Sequence, residues 1–289
     1  MINFLHTILK EYEVSEDSFW HADALTIWHL VYAVIIIGSI VAAALILKNK
    51  SEKIKKTVLD VLPLIVIGLY VSDLFLRPIA QLGGDLSQGI HSYLDKLPFH
   101  ICTVMAPLCV FAQHSKKFAK IKEPLVILGI VGPLMYLTYP SGVFGDRFPF
   151  CYNTVQTMAF HAFLLAWGVL NLTTGQTKVS IKKGWYSFAA CIATASAWAL
   201  LGNMAFSDMS SVQAWVDTGY DWFFQKSGSF YIATGQLWYA IVAPIAVAIA
   251  VYTVGMGVYG VYHLVCLIVN KSKKQKTSKK AKTKEKATV

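Results

Sequence analysis

Long apolar blocks are the feature that most constrains how this chain folds. Stretches rich in Leu, Ile, Val and Ala alternate along the sequence with short polar connections. A helix needs about 20 apolar residues to cross the roughly 30 Å of hydrocarbon in a bilayer. The predicted spans are Leu25–Leu47, Val58–Leu76, Pro98–Gln113, Pro124–Pro140, Thr154–Leu172, Tyr186–Ala205 and Gln236–Val269. We therefore expect an all-α, polytopic transmembrane helix bundle with about seven spans.

Composition excludes an ordinary soluble domain. The 289 residues are 55% hydrophobic and only 15% charged, and their mean hydropathy is +0.51. A soluble domain carries about 25% charged residues. A soluble helical bundle would also need a polar face on each helix, which most of these segments lack. The last segment is long enough to be either one span or a span followed by an interfacial helix.

Lysine clusters predict how the chain is oriented. Every odd-numbered span is followed by such a cluster, whereas the even-numbered spans are followed by connections that hold few cations and several acids. Positive charge beside a span marks the cytoplasmic side. We expect an outside N-terminus and a cytoplasmic C-terminus in a multi-pass protein of the plasma membrane. Residues 1–24 then form an extracellular segment, 25–269 the transmembrane domain and 270–289 a cytoplasmic tail.

The tail accounts for most of the net charge of +10. Residues 271–286 contain nine lysines and one glutamate, a net charge of +8. A run of like charges without apolar residues buries no core, so the tail is predicted to be disordered. Its expected partner is anionic membrane lipid, at about 1 kcal/mol per lysine near the surface. No nucleic-acid binding is expected, because no aromatic platform accompanies the lysines.

Polar and reactive side chains concentrate in the predicted outer half of the bundle. Ionisable groups inside a membrane cost free energy, so their presence there indicates a functional or structural role. The candidate site residues are His29, Asp73, Arg77, His100, Cys102, Tyr139, His161, Asn203, Trp238 and Tyr239. The inner halves of the spans are almost purely apolar. The predicted convergence of these residues indicates a site near the outer headgroups.

Several of these residues also have structural interpretations. Asp73 and Arg77 are four residues apart, so they can neutralise one another along one helix face. Asn203 can tie two helices together, or stabilise an oxyanion alongside Tyr139. A histidine inside a membrane is commonly a helix–helix hydrogen-bonding residue.

Cys102 is the candidate nucleophile. Its position shortly after Pro98, near the start of a helix, favours the thiolate that attacks. His100 is only two residues away and does not share a helix face with it, so the base is expected from another helix. His161 is the first candidate by depth and His29 the second.

The same region allows a metal alternative. His29, His100, Cys102 and His161 are side chains that Zn²⁺ accepts in tetrahedral geometry. No closely spaced pair of ligands supports that alternative. The main prediction therefore includes no metal and no cofactor.

Five short segments resemble the YwaF-like family of bacterial integral membrane proteins. They are Leu97-Pro98-Phe99-His100-Ile101-Cys102, Trp28-His29-Leu30, the stretch that begins at His161, Gly202-Asn203-Met204, and Gln236-Leu237-Trp238-Tyr239, and their order covers most of residues 25–255. A eukaryotic branch of that family resembles an acyltransferase that moves acyl groups between phospholipids. The resemblance implies Cys102 as the nucleophile and His161 as its base. The chain departs from the family pattern at Thr103, where an acid is common, and at Leu237.

Two classes of function follow, beside a third possibility, an accessory subunit whose polar groups only specify helix packing. The first is a lipid acyl hydrolase or acyltransferase with a Cys/His site in the outer half of the bilayer and a lipid or fatty-acyl substrate. The second is a non-enzymatic carrier or receptor for a lipid or small molecule, with an outward-facing polar pocket. Retention of binding in Cys102→Ala and His161→Ala variants, without turnover, would favour the second.

Overall fold

The computed structural model describes residues 9, 18–21, 26–82, 97–138, 148–211, 214, 221–222 and 239–286. Within these ranges the regular structure is entirely helical. The helices are α1 (Ile27–Lys48), α2 (Glu52–Leu82), α3 (Ile101–His114), α4 (Lys122–Thr138), α5 (Tyr152–Thr173), α6 (Ile181–Ala205) and α7 (Tyr239–Lys286), with a short 3-10 helix, Phe118–Ile121, before α4. Each helix overlaps one predicted span, which confirms the all-α polytopic bundle.

Six of the seven helices are long and apolar enough to cross a membrane, and α3 is the exception. Its 14 residues reach only about 21 Å along the helix axis, which is less than the hydrocarbon thickness. The predicted third span, Pro98–Gln113, is similarly short. The fourth, predicted as Pro124–Pro140, is longer than its predicted bounds, because the 3-10 helix extends it to Phe118–Thr138.

Four helices form the core of the bundle. Both α3 and α5 pack against α2 and against α4, so that α2 and α4 separate them in a four-sided arrangement. Gly168 of α5 permits the close approach of α4, since a methyl group at that position would lie 2.7 Å from Cγ1 of Ile130. Outside this core, α1 packs on α5, while α6 and α7 pack on each other and on α4.

The lysine-bearing connections meet at one end of the bundle. Gln113, at the end of α3, donates to Asp60 near the start of α2 (2.8 Å). Gln176, between α5 and α6, donates to Glu52 at the start of α2 (2.6 Å), and the amide of Ser180 donates to Glu123 at the start of α4 (3.0 Å). We call this the lysine end. The opposite end, where α4 ends and α5 begins, is the site end.

Helix α7 continues through the lysine-rich segment to Lys286, where the sequence analysis predicted disorder from residue 270 onward. Lysine, glutamine and alanine are good helix formers. The segment also follows directly on a membrane helix, so extending that helix needs no new nucleus. The prediction of disorder rested on the like charges and on the lack of apolar residues that could bury a core, and neither prevents a helix from being extended.

Candidate functional site

The predicted polar residues that the structure describes lie toward the site end. His29, Asp73, Arg77, His161 and Asn203 are all buried. His29 contacts the last turn of α4, and Arg77 contacts the first turn of α5. Tyr139 and Trp238 lie outside the described residues. Tyr239 begins α7, and its side chain is likewise outside what the structure describes.

Cys102 lies in the first turn of α3, with its sulfur against α4. His100 precedes the helix as its N-cap residue, with extended backbone angles. Across the interface is Gly132 of α4, where a methyl group would lie 3.3 Å from Sγ of Cys102. The glycine therefore leaves the thiol room at the helix interface.

His161 is held in one orientation by contacts on α4 and α5. Its Nδ1 lies 2.8 Å from the carbonyl oxygen of Thr157. Because a carbonyl only accepts, Nδ1 carries the hydrogen, and in the neutral ring Nε2 then carries the lone pair. The ring stacks on Tyr136 of α4, with centroids 3.8 Å apart and planes 5° from parallel.

One face of α4 joins the two predicted catalytic residues. Gly132 and Tyr136 are four residues apart, so they lie one turn apart on the same face. The thiol approaches this face from α3 and the imidazole approaches it from α5. Gly132 is six residues before the end of α4 at Thr138, about 9 Å along the axis. Neither Gly132 nor Tyr136 was identified from the sequence, because neither is unusual in an apolar helix.

His29 ties α1 to the end of α4. Its Nε2 donates to the carbonyl oxygen of Leu137 (2.6 Å), one of the final carbonyls that lack a partner within the helix. One turn further on, the hydroxyl of Tyr32 donates to the carbonyl oxygen of Pro149 (2.8 Å), on the other side of the α4–α5 connection. These bonds favour a helix-anchoring role for His29 over its alternative role as the base.

Asp73 and Arg77 form the ion pair that their spacing predicts. Nε of Arg77 donates to both carboxylate oxygens of Asp73, at 2.9 and 3.0 Å. The guanidinium also donates to side chains of α5 that the sequence analysis did not identify: Asn153, Gln156 (3.2 Å) and Thr157 (3.0 Å). Their i, i+3, i+4 spacing places them on one face, and that pattern was available from the sequence.

Asn203 is fully buried and binds the backbone of Trp222. Its amide nitrogen donates to the carbonyl oxygen of Trp222, and its amide oxygen accepts from the Trp222 amide, both at 2.9 Å. The paired contact ties α6 to the connection that follows it. This geometry supports the tying role considered for Asn203, because the amide nitrogen that would have to donate to an oxyanion donates to the Trp222 carbonyl oxygen.

The metal alternative is not supported. No group of three or more His, Cys, Asp or Glu side chains that could hold a metal ion occurs among the described residues. The predicted set of His29, His100, Cys102 and His161 is therefore not brought together as ligands. One ring nitrogen of His29 and one of His161 are instead within hydrogen-bond distance of backbone carbonyls.

Comparison with known proteins identifies the family. No curated protein and no solved structure matches the chain significantly. The sequence model of the TMEM164 family matches residues 18–254, which include α1 to α6 and the membrane part of α7 up to residue 254. This match does not test the resemblance to the YwaF-like proteins, which stays a prediction. The chain is a polytopic membrane protein that belongs to the TMEM164 family.

Proposed function

We propose that this protein transfers or hydrolyses acyl groups of membrane lipids, with Cys102 as the nucleophile and His161 as the general acid and base. The observation that carries the proposal is the shared face of α4: the Cys102 sulfur lies against Gly132, and the His161 ring stacks on Tyr136, one turn further along the helix. A thiol nucleophile and an imidazole base are the pair that covalent acyl transfer requires. The YwaF-like resemblance implies the same two residues.

The first half-reaction forms a thioester. Nε2 of His161 takes the proton of the Cys102 thiol, and the sulfur attacks the ester carbonyl carbon of a phospholipid. The tetrahedral intermediate collapses with cleavage of the carbon–oxygen bond. The departing lysophospholipid oxygen takes the proton from His161, and the acyl group remains on Cys102.

The second half-reaction releases the acyl group. His161 removes a proton from the hydroxyl of a lysophospholipid, or from water, and the resulting oxygen attacks the thioester carbonyl. The carbon–sulfur bond breaks and the Cys102 sulfur regains its proton from His161. A lysophospholipid acceptor gives acyl transfer, and water gives hydrolysis. Backbone amides in the first turn of α3 would favour the negative charge on oxygen in both steps.

The depth of the Cys102 thiol within the bundle supports a lipid substrate. Gly132, against which the Cys102 sulfur lies, is about 9 Å along the axis from the end of α4. Ester bonds of phospholipids lie just beneath the headgroups, at a comparable depth, so a lipid entering from the bilayer presents its ester there. With the lysine end toward the cytoplasm, as the charge distribution favours, the substrate comes from the outer leaflet of the plasma membrane.

Trapping the acyl-enzyme tests the proposal. The protein is reconstituted in vesicles of a phospholipid with isotopically labelled acyl chains, and peptides are examined by mass spectrometry for a hydroxylamine-sensitive acyl adduct. We expect the adduct at Cys102, its loss in Cys102→Ala, and turnover reduced about 100-fold or more in His161→Gln. Cys191→Ala is the matched control, because Cys191 is a half-buried cysteine in the half of α6 nearer the lysine end.

Two results would contradict the proposal. One is an adduct and turnover that persist in Cys102→Ala. The other is saturable lipid binding with no turnover in the parent protein and unchanged binding in Cys102→Ala, which would identify a carrier or receptor instead.

A further inference from the structure

Phe99, three residues before Cys102, is enclosed by aromatic rings of α6 and the connection that follows it. Its ring stacks on Trp198 with centroids 5.0 Å apart, and Trp222 lies at 4.7 Å. Phe206 completes the group at 6.3 Å from Phe99 and 5.5 Å from Trp222. We call Phe99, Trp198, Phe206 and Trp222 the aromatic clasp. Trp222 is fully buried, whereas Trp198 and Phe206 are exposed, so the clasp reaches from the interior of the bundle to its surface.

Hydrogen bonds hold the segment around Phe99 from two sides. On the α6 side, the indole nitrogen of Trp198 donates to the carbonyl oxygen of Pro98 (2.7 Å). On the α3 side, the hydroxyl of Thr103 lies 3.0 Å from the carbonyl oxygen of His100 and 3.3 Å from that of Leu97. The backbone that leads into α3 is therefore bonded to both helices.

Gly202 lets the Phe99 ring lie directly on α6. A methyl group at this position would lie 2.5 Å from Cδ1 of Phe99, well inside van der Waals contact. The next residue, Asn203, binds the backbone of Trp222 and so holds the opposite side of the clasp. Two adjacent residues of α6 thus set the position of the Phe99 ring.

We propose that the aromatic clasp is the positioning device for Cys102. The short helix α3 begins two residues after Phe99, so the place where Phe99 is held determines where the first turn of α3 lies and where the thiol meets Gly132. Phe99, Trp198 and Gly202 are positioning residues that act through the start of α3. The effect of the clasp on acyl transfer rests on the proposed acyl chemistry, whereas its effect on the position of Cys102 does not.

The test measures how fast Cys102 is alkylated, in the full-length protein in detergent, by a small membrane-permeant maleimide with site-resolved mass spectrometry. Gly202→Ala adds a methyl group where Phe99 lies, and Trp198→Phe keeps a ring while removing the indole donor. Gly68→Ala is the matched control, because its methyl group meets no atom within 4 Å. Cys191 is the internal reference, and the fully buried Cys109 reports opening of the whole bundle.

We expect Gly202→Ala to raise the alkylation rate of Cys102 about tenfold, because displacing the Phe99 ring loosens the first turn of α3. Trp198→Phe should raise it less, while Gly68→Ala and the rate at Cys191 stay unchanged. If Gly202→Ala also makes Cys109 reactive, the whole bundle has opened in that variant. The alkylation rate of Cys102 in Trp198→Phe then decides whether the clasp positions the thiol. A Cys102 rate in Trp198→Phe equal to that in Gly68→Ala would overturn the proposal.

Acyl transfer measured on the same variants separates the two proposals. If positioning matters for catalysis, Gly202→Ala should lower kcat by about 10- to 100-fold with a smaller change in KM. An altered alkylation rate in a protein whose parent forms no acyl adduct would support the clasp and reject the acyl chemistry. If Gly202→Ala and Trp198→Phe both keep the parent rates of acyl transfer and of Cys102 alkylation, the clasp proposal is rejected and the acyl chemistry is retained.

Discussion

At the scale of single residues, Arg77 illustrates how a buried charge is accommodated. Its guanidinium donates to Asp73 on its own helix and to polar side chains of α5, so the buried positive charge is surrounded by hydrogen-bond acceptors. Removing one member of a buried pair leaves the other uncompensated, which costs more than the pair contributes. These contacts favour a role in joining α2 to α5.

Arg77→Leu should therefore destabilise the protein by about 3–5 kcal/mol. The double variant Asp73→Leu/Arg77→Leu should recover a large part of that loss, because it removes both charges together. Equilibrium unfolding in mixed micelles measures the difference. Lys56→Leu is the control, since Lys56 pairs with Asp60 through a largely exposed side chain and its loss should cost at most about 1 kcal/mol. A double variant less stable than Arg77→Leu would contradict this account.

Tyr136 is the residue whose ring orients His161. Tyr136→Leu removes an aromatic stack, so we expect kcat for acyl transfer to fall about three- to tenfold with little change in KM. Tyr136→Phe keeps the ring and should retain kcat near the parent value. Steady-state kinetics on vesicle substrates check both. Equal losses in the two variants would show that the phenolic oxygen, and not the stacking, matters.

At the scale of helices, α4 is the element on which the proposed site is organised. It lies between α3 and α5, and its face presents Gly132 to the thiol and Tyr136 to the imidazole. The closeness of α4 to α5 depends on Gly168, since a methyl group there would also lie 3.0 Å from the carbonyl oxygen of Val126. Small residues at a helix interface permit this approach in membranes.

Gly168→Ala should destabilise the protein by about 1–3 kcal/mol, because the added methyl group has no room between α4 and α5. Gly38→Ala, in α1, adds the same group in open space and should be neutral or stabilising by up to about 1 kcal/mol. Thermal unfolding of the two variants, followed by intrinsic fluorescence, compares them directly. The account fails if the two midpoints shift equally.

At the scale of the whole molecule, the bundle has two chemically distinct ends. Lysine-bearing connections meet at one end, and buried histidine, cysteine, aspartate and arginine side chains lie toward the other. Positive charge is retained on the cytoplasmic side of membranes, so this asymmetry links the orientation of the protein to the leaflet that the proposed site would serve.

Labelling with a membrane-impermeant maleimide in intact cells tests that orientation. Met209→Cys lies just beyond α6 at the site end and is exposed, so it should react from outside. Lys50→Cys lies in the exposed connection after α1 and should react only after permeabilisation. The parent protein supplies the background from its own cysteines. The reverse pattern would assign the site to the inner leaflet.

The helices could be predicted from the sequence because apolar length and charge are local properties. A run of about 20 apolar residues forms a spanning helix whatever its neighbours are. All seven predicted spans correspond to helices, and the lysine clusters meet at one end as their alternation implies. The i, i+4 pair of Asp73 and Arg77 was predictable for the same reason.

Tertiary structure alone decided which residues surround Cys102 and His161. Trp198 bonds Pro98 across 100 positions of sequence, and Gly132 and Tyr136 acquire their roles only because α3 and α5 pack on the same helix. Apolar helices carry no local signal of which face meets which neighbour, since lipid and protein interior are equally apolar. The sequence by itself determined seven helices, a lysine end and a list of polar candidates, and helix packing determined which residues of neighbouring helices those candidates contact.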